Sequence, residues 1–359
     1  MPSPTVLTLD AGGTTFTFSA WREGREVVAP FTQAAQGDDL DRCLAGMQAG
    51  FEAARTAAGG CEALALGFPG PADYARGVIG DLANLPAFRG GVALGPHLEA
   101  AFGVPVAIQN DGSLFALGEA LGGFLPEVNG ALAEVGAARR HRHLVGLTLG
   151  TGFGGGVVVA GRPLLGDHGA GGEIWSLRQR DRRDETAEEA VSVRGLRRAY
   201  AEGAGLDPAA VPSPEGLAAI ARGQAPGDAV AARAAFRALG HAAGDALAQA
   251  LALVDGLAVI GGGLAGAADL FLPELVAELN GTLLGAEGPT RRLAAEAFDW
   301  EDPDQRRAFL AGDEAAFRPR TAVGLSRLGT GRAVALGAYA WVLEALGHPL
   351  PAITIPPRP

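Results

Sequence analysis

Thr5 to Thr15 reads TVLTLDAGGTT, an apolar run that ends on Asp10 and breaks at once into two glycines and two threonines. A strand of this kind delivers one carboxylate to its carboxyl end. The Gly12-Gly13 turn that follows lets backbone N–H groups approach an anion with no Cβ in the way. Such an end suits a phosphate and a metal. Leu144 to Gly156, LVGLTLGTGFGGG, repeats the plan: Thr151 follows a second strand and stands among Gly150, Gly152, Gly154, Gly155 and Gly156. Two such loops can hold one polyphosphate. The chain has no lysine, which removes the Walker A reading, since that loop needs a Lys to reach the phosphates. Neither glycine run opens an amphipathic helix with an acidic residue about twenty positions on, as a dinucleotide-binding fingerprint requires. Phosphate must then be held by amides, hydroxyls and a metal.

At 359 residues the chain exceeds the size at which one core keeps growing, so two domains are expected. A formal charge of −11 argues against nucleic acid and anionic membrane, whose phosphates demand a basic footprint. Arg178 to Arg198 is the local exception. Its arginines alternate with Asp181, Asp184, Glu185, Glu188 and Glu189, which reads as a solvated, salt-bridged helix. Cys43 and Cys61 cannot build a disulfide framework and form no CxxC pair. The N-terminus runs from MPSP straight into the first strand with no basic and apolar leader, and a cytoplasmic protein is expected. Leu144 to Gly161 is long and uncharged, but its seven glycines and β-branched runs fit two strands and a turn rather than a membrane helix.

Val6–Asp10, Thr15–Arg22 and Glu26–Pro30 read as consecutive antiparallel strands, followed by a helix carrying Leu40, Leu44, Met47 and Phe51. Ala63–Gly67 is a buried strand running into GFPGPAD, and Val104–Gln109 is another, running into Asn110, Asp111 and the helix Ser113–Leu121. Asp228–Val254 is a long Ala-rich helix, and Leu257–Ile260 a strand ending in Gly261, Gly262 and Gly263. Gly281 to Pro319 reads as an insertion of short helices and loops, and Ala333 to Leu346 as a final packed helix. His141 and His143 are placed in a solvent-exposed connection.

In this order the motifs resemble those of the ROK family, the bacterial sugar kinases and sugar-responsive repressors of the actin-like ATPase fold. LTLDAGGTT resembles the family's first phosphate motif, GFPGPAD and NLPAFRG its sugar-side loops, QND its catalytic strand end, and TLGTGFGGGVV its second phosphate motif. GAGGE resembles its sugar-binding glutamate segment and VIGGGLA its adenosine loop. The resemblance implies a two-domain α/β protein of the actin-like ATPase (ribonuclease H-like) fold with its active site in the interdomain cleft. The N-terminal domain spans 1–115, with the helix 333–347 packing back on it. The C-terminal domain spans 116–332, with an insertion at about 281–319. It also implies ATP-dependent phosphorylation of a hexose, at the 6-hydroxyl, with glucose first among the sugars, and often a homodimer. A non-catalytic sugar-binding regulator of the same fold is the alternative.

Asp111 is the base implied for this reaction, since a carboxylate within reach of a sugar hydroxyl takes its proton as the oxygen attacks phosphorus; an aspartate before a helix is also an ordinary N-cap. Asp10 orients Mg²⁺ through water, or is a turn residue. Gly12, Gly13, Thr14, Thr15, Thr151, Gly152 and Gly154 are placed at the phosphates, and Gly261, Gly262 and Gly263 at the nucleoside. Asn84, Asn110, Asp111 and Glu173 are placed at the sugar. Two departures from the family pattern stand out. Its kinases follow the glutamate with a histidine and a CxCGxxGC cluster that bind zinc, whereas Ser176 stands at the histidine position here and no cysteine follows. With His168 alone nearby, no zinc is expected. Its repressors carry a helix-turn-helix domain ahead of the kinase-like part, for which nine residues before Asp10 leave no room.

Overall fold

The structure, a computed structural model, describes residues 3–82, 85–312 and 318–354. Contacts divide the chain into two compact units, Met1–Pro126 with Gly156–Gly172 and Arg327–Pro359, and Glu127–Gly155 with Glu173–Ser326. The sequence reading broke the chain at 115 and left 156–172 with the C-terminal part. The segment groups with the first unit because glycines let it approach closely: a Cβ at Gly156 would lie 2.2 Å from the Gly112 carbonyl oxygen, and one at Gly169 would lie 3.1 Å from the Tyr74 ring.

In the first unit β1 (Val6–Ala11), β2 (Thr15–Arg22), β3 (Arg25–Ala34), β4 (Ala63–Gly67) and β7 (Val106–Gln109) form one sheet in the order β3-β2-β1-β4-β7. β5 (Ala72–Asp73) and β6 (Val78–Ile79) make a small separate ladder. The first three strands are antiparallel, as the short turns require, and β1, β4 and β7 are parallel, joined through α1 (Leu40–Ala58) and α2 (Leu94–Phe102). β3 runs to Ala34, beyond the Pro30 expected from the sequence. Strand β4 is buried at every position and β1 at all but Asp10, so both read as apolar runs rather than alternating ones. The α1 helix starts on Asp39, whose side chain accepts from Arg42 N, and stops at left-handed Gly59. Its Met47 and Phe51 are buried, with Phe51 edge-on to Phe18 at 5.2 Å.

Two helices of this unit, α3 (Asp111–Gly122) and α10 (Thr330–Ala345), cross at backbone distance. A Cβ at Gly118 would lie 2.0 Å from the Ala333 carbonyl oxygen, and one at Gly337 would lie 2.1 Å from that of Leu114. Glycine is required at both positions for the crossing.

In the second unit β8 (Leu144–Leu149), β11 (Leu257–Gly261), β15 (Arg320–Leu325) and β14 (Glu296–Asp299) lie side by side, all parallel. β9 (Phe153–Val159) lies beside β8, passes into the first unit within its length, and there pairs antiparallel with β10 (Arg162–Pro163). The remaining helices are α4 (Phe124–Glu134), α5 (Val193–Ala204), α6 (Pro214–Ala221), α7 (Ala229–Val254), α8 (Ala268–Leu279) and α9 (Pro303–Leu310).

Gly281 to Pro319 is not only short helices and loops. It supplies the hairpin β12 (Thr282–Gly285) and β13 (Gly288–Arg291) and the edge strand β14; its residues 313–317 lie outside the described residues. The buried Phe298 of β14 and Trp300 just after it pack on Phe309, so the aromatics that looked scattered form one cluster. His141 stacks on Phe309 at 5.9 Å, and both His141 and His143 are half-buried rather than exposed. Burial, with Arg139 adding to it, pushes the His141 imidazole down to about 4.

The arginine-rich segment is not one helix. A 3₁₀ turn at Ala187–Glu189 precedes α5, whose N-cap is the buried Ser192. Within the segment its charges are paired as expected, Arg198 with Glu185 and Arg194 with Glu188 and Glu189, while Arg180 pairs with Glu278 far along the chain. Glu278 and Asp245 also hold the nearly buried Arg292. Among the described residues no helix is long and apolar enough to cross a membrane.

Candidate functional site

The parallel strands of the first unit end level with one another. Asp10 stands opposite Gly67 and Gly67 opposite Gln109, so Asp10 and the Gln109-Asn110-Asp111 corner share the carboxyl edge of the sheet. Ligands of open α/β sheets bind beyond this edge. Gly67 lets α10 pack close to this edge, because a Cβ there would lie 2.4 Å from the Val334 side chain.

Asp10 is half-buried by accessible surface but densely surrounded by protein atoms. Burial, reinforced by the charge of Asp111, raises its carboxyl to about 7. The two carboxylates lie close enough that the charge of Asp111 disfavours a second negative charge on Asp10. After Asp10 the chain turns tightly, Gly12 N donating to Thr15 O at 3.0 Å, and Gly12, Gly13, Thr14 and Thr15 are exposed.

Asp111 is the first residue of α3, not its cap. Asn110 is the N-cap, its Oδ1 accepting from Ser113 N at 2.9 Å, and Asp111 Oδ1 accepts from Gly112 N at 3.0 Å. A carboxylate in the first turn of a helix is favoured by the helix dipole. Capping engages one face of the buried Asn110 amide, and its Nδ2 donates to Tyr74 Oη at 3.4 Å. Tyr74, which the sequence reading passed over, in turn donates to the Phe68 carbonyl at 3.1 Å. Asn84 lies outside the described residues.

The second unit brings together two of the three glycine loops. β8 and β11 are adjacent and in register, Thr148 opposite Gly261, so the Gly150–Gly154 and Gly261–Gly263 loops leave the same edge. A Cβ on Gly150 would lie 3.9 Å from Gly263 N. Gly262 has φ 88°, and a Cβ there would lie 2.2 Å from Leu149 O, so this backbone requires glycine. Thr151 is exposed at the tip. The loop is gripped from behind: Val193 N donates to Gly150 O at 2.8 Å, and Phe153 N donates to Glu188 Oε2 at 2.9 Å. Glu188 also pairs with Arg194 at 2.6 Å. Nothing local in the sequence marked Glu188 out from the other acids of its segment.

The half-buried Glu173 accepts a hydrogen bond from the Trp175 indole N–H. Burial raises its carboxyl above the usual range, and the indole bond opposes the rise. Ser176 Oγ donates to the Glu173 carbonyl at 2.8 Å, so this serine closes the turn that holds the glutamate. His168 is exposed. Among the described residues, no three His, Cys, Asp or Glu side chains cluster to hold a metal ion.

The ROK family profile matches residues 6–299, most of the chain. The chain belongs to the ROK family. The crystal structure of a glucokinase from Parabacteroides distasonis ATCC 8503 superposes with a TM-score of 0.81 at 45% identity, over 96% of this chain and 98% of that one. A glucokinase from Thermotoga maritima is 33% identical over 180 residues, 48% of this chain and 50% of that protein. An N-acetyl-D-glucosamine kinase from Vibrio cholerae serotype O1 is 34% identical over 172 residues, 47% of this chain and 51% of that protein. The chain thus spans about half the length of the curated relatives it matches. Its fold is the mixed α/β actin-like ATPase fold of the ROK sugar kinases. As a ROK protein it departs from the family's zinc-binding pattern, with Ser176 after Glu173 and both cysteines, Cys43 and Cys61, far upstream.

Proposed function

We propose that the chain transfers the γ-phosphoryl group of ATP to a hydroxyl of a hexose, the 6-hydroxyl of glucose or a related sugar. The observation that carries this reading is the meeting of Asp10 and Asp111 at the carboxyl edge of β1, β4 and β7. Membership of the ROK family and likeness to a glucokinase along nearly the whole chain support it.

In this reading Asp111 accepts the proton of the sugar hydroxyl as its oxygen attacks phosphorus, and Asn110 and Glu173 orient the sugar, with Asn84 assigned the same role. Gly12–Thr15 and Thr151–Gly154 receive phosphate oxygens on backbone amides and threonine hydroxyls, and Gly261–Gly263 lets the nucleoside lie close to backbone. The donor set fits Mg²⁺, which takes one or two carboxylates, phosphate oxygens and water, and Asp10 is the residue that would hold it. When bound, the metal neutralises charge on the phosphates. What the protein contributes is mostly position, since phosphoryl transfer asks for alignment and charge neutralisation rather than covalent chemistry.

A coupled ADP-release assay over glucose, N-acetylglucosamine, mannose, N-acetylmannosamine and fructose tests the proposal. At least one hexose should raise ADP release far above the sugar-free rate, because its hydroxyl outcompetes water in the site. A protein that binds a hexose in calorimetry yet releases ADP no faster with any of them is a sugar-binding regulator instead.

A further inference from the structure

Glu119, on α3, is completely buried. Its Oε2 accepts from Phe124 N at 2.8 Å and Arg327 N at 3.3 Å, and its Oε1 accepts from Leu328 N at 3.1 Å. A carboxylate satisfied by backbone amides is a strong, directional clamp, because each bond is charge-assisted. Gly123 admits the clamp, since any Cβ there would lie 2.1 Å from Oε2.

The two segments tied together both lead to the site. Phe124 opens α4, separated by one residue from the end of α3, whose first residue is Asp111. Arg327 and Leu328 lead into α10, which begins at Thr330 after Gly329, a residue with φ 80°. In the first turn of α10, a Cβ on Gly331 would lie 3.3 Å from Asp10 Oδ2. At the end of that turn Arg332 pairs with Glu26 of β3 at 2.9 Å. The stretch from Arg327 to Arg332 is therefore pinned at both ends by carboxylates, with Gly331, beside its far end, lying against Asp10.

We propose that Glu119 is a positioning residue for the reaction, setting the backbone of Gly329–Gly331 against the Asp10 carboxylate and fixing α3, which carries Asp111. The inference rests on the kinase reading above for its consequence in turnover, but not for the clamp itself.

Three variants and one measurement without substrate test it. Glu119→Gln keeps the size of the side chain but brings an NH₂ against amide donors, and should lower kcat by 10- to 100-fold with the hexose KM within threefold. Gly331→Ala, whose Cβ would lie 3.3 Å from Asp10 Oδ2, should lower kcat similarly with its melting temperature within a few degrees of wild type. The double variant should fall no further than the worse single one, since both act through the same backbone. In the protein without ligands, amide exchange at Arg327 to Arg332 should rise at least tenfold in Glu119→Gln, with the α1 amides unchanged.

Glu119→Gln with kcat within twofold of wild type overturns the proposal. So do losses that multiply in the double variant, and so does unchanged exchange at Arg327 to Arg332. If wild-type protein phosphorylates no hexose, the kinase reading falls, and the exchange measurement alone decides whether Glu119 sets this backbone.

Discussion

Two aspartates at one strand edge have different surroundings. Asp111 sits in the first turn of α3 with backbone N–H groups beside it, whereas Asp10 is crowded by protein and by Asp111 itself. If Asp111 is the base, Asp111→Asn should lower kcat by about 10²–10⁴ while sugar affinity stays within a few-fold, because the amide keeps shape and hydrogen bonding but cannot take the proton. Kinetics beside calorimetric sugar binding check this.

Asp10 carries a prediction about stability. The folded protein keeps the Asp10 proton up to about pH 7, whereas the unfolded chain releases it near 3.8. Between these values the native state binds more protons, so this group's contribution to stability falls as pH rises through that window. Asp10→Asn, neutral throughout, should match wild type near pH 4 and exceed it at pH 8 by on the order of 1–3 kcal/mol, discounted for the open side of the residue. Urea denaturation of the ligand-free proteins at the two pH values measures the difference, and equal stabilities at pH 8 would show that the Asp10 charge is not disfavoured.

At the scale of elements, the close crossing of α3 and α10 joins the helix that begins with Asp111 to the helix whose first turn rests on Asp10. Alanine is better than glycine in a helix interior by about 1 kcal/mol, so propensity alone predicts that Gly118→Ala stabilises. The crossing reverses the sign. The added Cβ would lie 2.0 Å from the backbone oxygen of Ala333, which no side-chain rotation relieves, and overpacking of this kind costs about 1–3 kcal/mol. Thermal or chemical denaturation should show Gly118→Ala less stable than wild type. Gly130, where an added Cβ meets nothing within 4 Å, is the control, and its alanine variant should not be destabilised.

For the whole molecule, the segment after Glu173, which has no cysteine, is held by hydrogen bonds and ion pairs. Ser176 closes the Glu173 turn, and Arg180, Arg194 and Arg198 each pair with carboxylates. The protein should therefore carry no stoichiometric zinc by elemental analysis, and a zinc chelator should leave its melting temperature unchanged. One tightly held zinc per chain would contradict this. Protons should act more strongly than chelators. His141 stays neutral in the folded state to about pH 4, whereas an unfolded histidine takes up a proton near 6.5. Its contribution to stability is lost as pH falls through that window.

The strands that end at the site, the three glycine loops and the Asp10 and Asp111 positions were legible in the sequence, because each is a local event: an apolar run, then residues that stop it. The long helix after Asp228 was legible for the same reason, a capping aspartate followed by helix formers. What the sequence could not carry depends on partners far along the chain. β14 reads as a loop because only its neighbour β15 makes four residues a strand. Asn110 rather than Asp111 is the cap, because the geometry of the turn decides which of two adjacent polar side chains faces the free amides. Tyr74, Glu188 and Glu119 look ordinary in sequence. Each acquires its place from a backbone or side-chain group brought to it by folding, from six positions away for Tyr74 to more than two hundred for Glu119. Local chemistry thus determined which strand ends and loops were available, and tertiary packing alone decided which of them meet, because close approach of distant backbone depends on glycines and buried carboxylates whose partners the sequence does not name.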